Sequence, residues 1–189
     1  MKRLCVFCGS NAGARPEYAQ AAQQLGEVLV EKKLGLVYGG SHVGLMGIVA
    51  RTVFEAGGEV IGVIPTALAQ MELAYAQLTD LRIVGTMHER KALMADLADG
   101  FIALPGGLGT IEELFEILTW AQLGMHQKPC GLLNICHYYD PLLDFVEHAV
   151  AEKFVKPAHG QMLQRDENPA NLLTKLEAYQ APRDGKLFR

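Results

Sequence analysis

Short apolar runs alternate with stretches of helical period from one end of the chain to the other. Leu4-Cys5-Val6-Phe7-Cys8 predicts a first strand, and Pro16 to Lys33 a helix whose Tyr18, Ala22, Leu25 and Leu29 share one face. Pro16 suits the first helical position, where an N–H would have no intrahelical partner. Leu36-Val37-Tyr38 follows as a strand, then a helix from Leu45 to Ala56 closed by Gly57-Gly58. Glu59 to Ile64 predicts a third strand, stopped by Pro65, and Leu81 to Val84 a shorter one. A helix from Met87 to Ala98 precedes the apolar run Phe101-Ile102-Ala103-Leu104. A long helix from about Ile111 to Leu123 then leads to a strand from Gly131 to Ile135. Asp140-Pro141 and Asn168-Pro169 open two last helices, reaching Phe154 and Tyr179.

This rhythm predicts an α/β fold: a Rossmann-like, doubly wound, mostly parallel sheet with helices on both faces, since parallel strands need right-handed crossovers. In such sheets ligands bind beyond the carboxyl ends of the strands, where the strand order reverses. No repeat, linker or composition break divides the chain, so residues 1–180 are expected to form a single domain and 181–189 a polar, frayed tail. At 189 residues a chain buries about 70% of its unfolded surface, enough for a core without staples. Half the residues are hydrophobic and a fifth charged, which excludes a disordered chain. The net charge of −4 argues against a nucleic-acid polymer as partner.

The apolar start is cut at Gly9-Ser10-Asn11, short of a signal peptide, and the uncharged stretch Val60 to Met71 is too short for a bilayer and contains Pro65. No membrane partner is expected. Four cysteines (Cys5, Cys8, Cys130, Cys136) do not make a disulfide framework at this length, so a cytoplasmic protein with reduced thiols is expected. Cys5-x-x-Cys8 falls on a strand, whose alternation sends the two side chains to opposite faces. The six histidines show no i, i+4 pairing, so no metal site is inferred.

Three loops after strands are rich in glycine: Gly9-Ser10-Asn11, Gly39-Gly40-Ser41 up to Gly44, and Pro105-Gly106-Gly107-Leu108-Gly109-Thr110. One such loop is an ordinary tight turn; three at one end of a sheet point to a ligand. The third leads into a helix, whose free N–H groups and partial positive charge suit a phosphate. It is neither a G-x-G-x-x-G dinucleotide loop nor a Walker loop ending in Gly-Lys-Ser/Thr. Thr110-x-x-Glu113 fits a capping box, which gives Glu113 a structural task, and Thr86-x-x-Glu89 fits a second. Arg90 lies in a first helical turn, where a cation is disfavoured, and on the stripe of Leu93, Met94 and Leu97. It needs an anion, either a carboxylate of the fold or a ligand phosphate. Lys91 is expected in solvent, and Phe115 and Trp120 in the core or at a dimer surface.

The run Pro105-Gly106-Gly107-Leu108-Gly109-Thr110-Ile111-Glu112-Glu113 matches P-G-G-x-G-T-x-x-E. With Met87-His88-Glu89-Arg90-Lys91 upstream and Thr119-Trp120-Ala121-Gln122-Leu123-Gly124 downstream, the chain resembles the LOG ("Lonely guy") family over nearly its whole length. The resemblance implies a cytokinin riboside 5′-monophosphate phosphoribohydrolase. Such an enzyme releases a free adenine-type base and ribose 5-phosphate from a nucleoside monophosphate, AMP included. It also implies a homodimer with the site near the subunit interface. By position, the family's catalytic pair falls on Arg90 and Glu113, and its nucleotide contacts on Glu72, Lys91, Gly107, Leu108, Gly109, Thr110, Ile111, Glu112, Glu113 and Thr119. Gly9, Ser10 and Gly106 join the set of expected substrate contacts from the glycine loops. The motif has also carried the label of a possible lysine decarboxylase, which requires pyridoxal phosphate on a lysine, and no lysine sits in a phosphate loop.

Breaking an N-glycosidic bond develops positive charge at C1′ of the ribose, which a carboxylate stabilises while activating water. Glu113 is expected in that role, with Arg90 either orienting the ribose phosphate or assisting departure of the base. No metal or organic cofactor is called for. A nucleotide or phosphorylated-cofactor carrier on the same fold is the alternative, because fold alone does not separate the two.

Overall fold

The computed structural model describes residues 1–71, 74–75, 77–78 and 80–182. Along the chain run β1 (Arg3–Phe7), α1 (Pro16–Glu31), β2 (Gly35–Tyr38), α2 (Gly44–Glu55), β3 (Val60–Pro65) and the short α3 (Thr66–Ala69). Then come β4 (Asp80–Val84), α4 (Met87–Leu97), β5 (Gly100–Ala103), α5 (Leu108–Leu123), β6 (Cys130–Leu133), α6 (Asp140–Ala151), α7 (Pro157–Gly160), β7 (Leu163–Asp166) and α8 (Pro169–Ala178). The strands form one seven-stranded sheet in the order β4-β3-β2-β1-β5-β6-β7, each pair parallel.

The five inner strands β3, β2, β1, β5 and β6 are buried apart from Arg3 at the start of β1, which is why they read as continuous apolar runs rather than alternating ones. Alternation still sorts their side chains. Leu4, Val6 and Cys8 join α1, α2 and α8 in one cluster around Leu25, Val49 and Leu172. Cys5 and Phe7 join α4 and α5 in the other, around Met94 and Ile117. Cys5 and Cys8 thus lie on opposite sides of the sheet, and all four cysteines are free. The chain winds outward from β1 to β4 and returns to the far side of β1 as β5, so the strand order reverses between β1 and β5.

Three differences from the sequence reading have local causes. The helix opened by Asp140-Pro141 stops at Ala151, three residues short of Phe154, where Lys153 takes a left-handed conformation (φ 65°). β7 was not expected: Leu163-Gln164-Arg165-Asp166 is mostly polar because it is an edge strand, specified by its ladder with β6 rather than by burial. The helices α3 and α7 span one turn each, too short to show a period. No helix among the described residues is long and apolar enough to cross a membrane.

The Asn168-Pro169 start is confirmed in detail, with the Asn168 side chain accepting from the N–H of Asn171 at 3.1 Å. Asn168→Ala is expected to cost about 1 kcal/mol of stability in a urea titration, with the slope of the transition unchanged.

Candidate active site

The site grows from how two helices start. At α4, the Thr86 hydroxyl accepts from the Glu89 N–H (3.1 Å), and the Glu89 carboxylate reaches back to the N–H of Gly85 (2.8 Å). That box fixes the first turn and sends Arg90 inward, where it is 7% exposed. At α5 the expected capping box does not form. Gly107 is the cap, Leu108 the first helical residue, and the first rung runs from the Ile111 N–H to the Gly107 carbonyl (3.1 Å). Thr110 is therefore the third residue of the helix, without the extended backbone a capping threonine needs. Glu113 lies in the second turn, free of any capping duty.

No side chain caps α5. The amides of Leu108, Gly109 and Thr110 lack intrahelical acceptors, and the positive end of a 16-residue helix faces the same way. In front of them is a cavity of about 330 Å³. Gly9 and Ser10 line it from the end of β1, Gly39 from the end of β2, Arg90 from α4, and Gly107, Leu108, Gly109, Thr110 and Glu113 from α5. Phe7, Met46 and Leu68 give it apolar walls. The three glycine loops converge at the reversal of strand order, as the sequence predicts.

On one wall Arg90 Nη1 donates to Glu113 Oε1 at 2.7 Å, with both side chains 9% exposed. Arg90 Nε donates to the carbonyl of Val63 at 3.2 Å. The anion that Arg90 required is a carboxylate of the fold, presented at the edge of the cavity. Burial raises the Glu113 carboxyl above its ordinary value, and Arg90 offsets part of that rise. Gly39 makes the arrangement sterically feasible, because a Cβ there would overlap Arg90 Nη2. Cys8 also lines the cavity, but burial pushes its thiol well above the ordinary range, so it supplies wall rather than nucleophile.

Other expected residues lie elsewhere. Lys91 is not in solvent: its side chain is 8% exposed and tied to Glu112 and, at 3.1 Å, to Glu116. Its stem crosses from α4 to α5, and these partners hold its ammonium more firmly protonated than usual. Neither Lys91 nor Glu112 lines the cavity. Ile111 packs in a cluster with Leu132 and Tyr139, and the Thr119 hydroxyl donates to the Phe115 carbonyl of its own helix (2.6 Å). Gly106 lines a neighbouring cavity of about 240 Å³, which shares Gly9, Ser10 and Gly107 with the first. Glu72 lies outside the described residues. Phe115 and Trp120 are half-buried. Met46 and Leu68 are wall residues that no sequence signal marked. Gly39 was visible only as half of a Gly-Gly pair.

A larger groove of about 500 Å³ borders β7, far from the glycine loops, and its Arg165 pairs with Glu147 at the surface. The described residues that line the cavity of about 330 Å³ include no lysine.

A family model described as possible lysine decarboxylase matches residues 46–176. A probable cytokinin riboside 5′-monophosphate phosphoribohydrolase of Oryza sativa subsp. japonica is 52% identical over 181 residues, covering 96% of this chain and 74% of that protein. A cytokinin riboside 5′-monophosphate phosphoribohydrolase of Arabidopsis thaliana is 50% identical, covering 95% and 82%. Among solved structures, the molybdenum cofactor binding protein of Rippkaea orientalis superposes with a TM-score of 0.71 at 22% identity, covering 94% of this chain and 97% of that one. The molybdenum cofactor carrier protein of Chlamydomonas reinhardtii gives 0.69 at 20%, covering 94% and 99%. At such identities these two attest the fold.

Removing one member of a buried ion pair strands the other, at a cost of about 3–5 kcal/mol, whereas removing both relieves the strain. Urea titrations are therefore expected to find Arg90→Met and Glu113→Leu each strongly destabilised, and the double variant more stable than the sum of the two predicts.

Proposed function

This chain belongs to the LOG family of cytokinin riboside 5′-monophosphate phosphoribohydrolases, and we propose that it hydrolyses the N-glycosidic bond of nucleoside 5′-monophosphates, AMP among them. The observation that carries this reading is the opening of two features onto one cavity: the uncapped start of α5 and the buried Arg90–Glu113 pair.

The 5′-phosphate sits against the amides of Gly107, Leu108, Gly109 and Thr110, where the helix end complements its charge. The ribose spans the cavity with C1′ over Glu113. As the bond from C1′ to the base nitrogen breaks, its electron pair leaves with the base, and positive charge spreads over C1′ and the ring oxygen. The Glu113 carboxylate stabilises that charge and takes a proton from the attacking water. Oxygen from water joins C1′, the departing base gains a proton, and the products are free base and ribose 5-phosphate. Arg90 keeps Glu113 ionised and aimed despite its burial. A carrier that only holds a phosphorylated ligand has no use for a desolvated carboxylate, which favours the hydrolase over the carrier.

A homodimer belongs to the same reading. Ile83 on β4, Met87 at the start of α4 and Leu108 at the start of α5 are 60%, 43% and 87% exposed, apolar area that a second copy would cover. The free cysteines fit a reducing compartment such as the cytoplasm.

Purified protein is expected to release adenine from AMP, and isopentenyladenine from its riboside monophosphate, far faster than from the matching nucleosides. Glu113→Gln should lower kcat by about 100-fold or more. Gly39→Ala should lower kcat/KM by at least about 10-fold, through displacement of Arg90. Unchanged turnover in Glu113→Gln would overturn the assignment of that carboxylate. In the pH profile of kcat/KM, activity is lost as pH falls through the raised carboxyl value, so the acid limb should lie above the ordinary 4.5 of a glutamate. Light scattering should give twice the chain mass of 20.6 kDa.

A further inference from the structure

Four successive carbonyls in the loop before α5 are each held by a separate donor. The Tyr139 hydroxyl donates to Leu104 (2.7 Å), the Gly9 N–H to Pro105 (3.1 Å), the Tyr138 hydroxyl to Gly106 (2.7 Å), and the Ile111 N–H to Gly107 (3.1 Å). All described peptide bonds are trans, so the N–H that follows each carbonyl points to the opposite side. Fixing the Gly106 carbonyl therefore fixes the direction of the Gly107 N–H, and Gly107 lines the cavity.

We infer that Tyr138 is a positioning residue for phosphate recognition: its hydroxyl aims the Gly107 amide at the anionic end of the substrate. The chain is shaped to deliver it. Cys136 and His137 both take left-handed backbone conformations (φ 51° and 59°), uncommon for residues other than glycine, and bring two consecutive tyrosines back to the β5–α5 loop. The Asn134 side chain braces this bend, accepting from the Tyr139 N–H (2.8 Å) and donating to Asp140 (2.6 Å). The Tyr138 ring is held edge-on by Tyr139 and Tyr18, with centroids 4.8 and 5.7 Å away. Tyr138 is nevertheless 41% exposed, so its ring fills no core site that would by itself require a tyrosine. Tyr138 lines the neighbouring cavity of about 240 Å³ and not the one that Glu113 lines, and its hydroxyl is bonded to the loop, which separates its task from that of Glu113.

The inference rests on the phosphate lying at the start of α5, and its test does not need turnover. Calorimetric titration with ribose 5-phosphate should show Tyr138→Phe binding about 3- to 10-fold more weakly than the parent, the range of one lost hydrogen bond. KM for AMP should rise by a similar factor, with kcat within about twofold and the melting temperature unchanged. The slow reaction of adenosine, which lacks the phosphate, should not change. An unaltered affinity for ribose 5-phosphate, equal weakening towards adenosine, or a fall in kcat at constant KM would each overturn the role. A parent protein that binds ribose 5-phosphate but leaves AMP intact would refute the hydrolase reading alone, with the affinity comparison still deciding the case of Tyr138. A parent that binds no ribose 5-phosphate would refute both.

Discussion

The buried contact between Arg90 and Glu113 is the constraint to which the rest of the site is fitted. Two charges taken from water need a partner at hydrogen-bond distance, and each has one in the other at 2.7 Å. They stand 23 residues apart on helices that enter the same face of the sheet from different strands. Their pairing fixes how α4 lies against α5, and Lys91 repeats the tie towards solvent through Glu112 and Glu116. Gly39 is bound by the same contact, since only a residue without a side chain leaves room for the guanidinium.

Once paired, the two side chains nearly cancel as charges, and the electrical character of the cavity passes to the backbone. Uncapped amides at the start of a 16-residue helix supply a partial positive charge without a flexible side chain and without a proton to lose. Neighbouring carbonyls are held by the tyrosine hydroxyls and by the Gly9 N–H, so in the proposed reading a phosphate brought there would meet donors already aimed. In that proposed reading the anion site is built from rigid backbone and the reactive carboxylate is a desolvated side chain. The division suits a reaction in which the phosphate stays fixed while charge develops at C1′.

Much of the molecule is legible along the chain. The inner strands announce themselves as apolar runs because both faces of the sheet are covered, and Pro16, Asn168 and the Thr86-x-x-Glu89 box mark helix starts through local chemistry alone. The same local logic misplaced the start of α5. Thr110 and Glu113 have the spacing of a capping box, but spacing does not show that Gly107 has already closed the first turn. The charge of Arg90 on an apolar stripe signalled a buried anion, yet not which one, because its partner is distant in sequence. Lys91 looked solvated for the same reason: Glu112 and Glu116 come to it from another helix.

Sequence alone determined the alternation of strands and helices, the placing of glycine at three strand ends, and the motif residues that mark the family. These depend on propensity, period and identity, all of which are local. Tertiary structure decided which strand is last at the edge, that Leu68 and Met46 wall the cavity while Thr119 turns back to its own helix, and that Tyr138 reaches the Gly106 carbonyl. Those outcomes depend on where separate segments meet in space, and a side chain's partner there is set by packing of the whole sheet rather than by its neighbours in the chain.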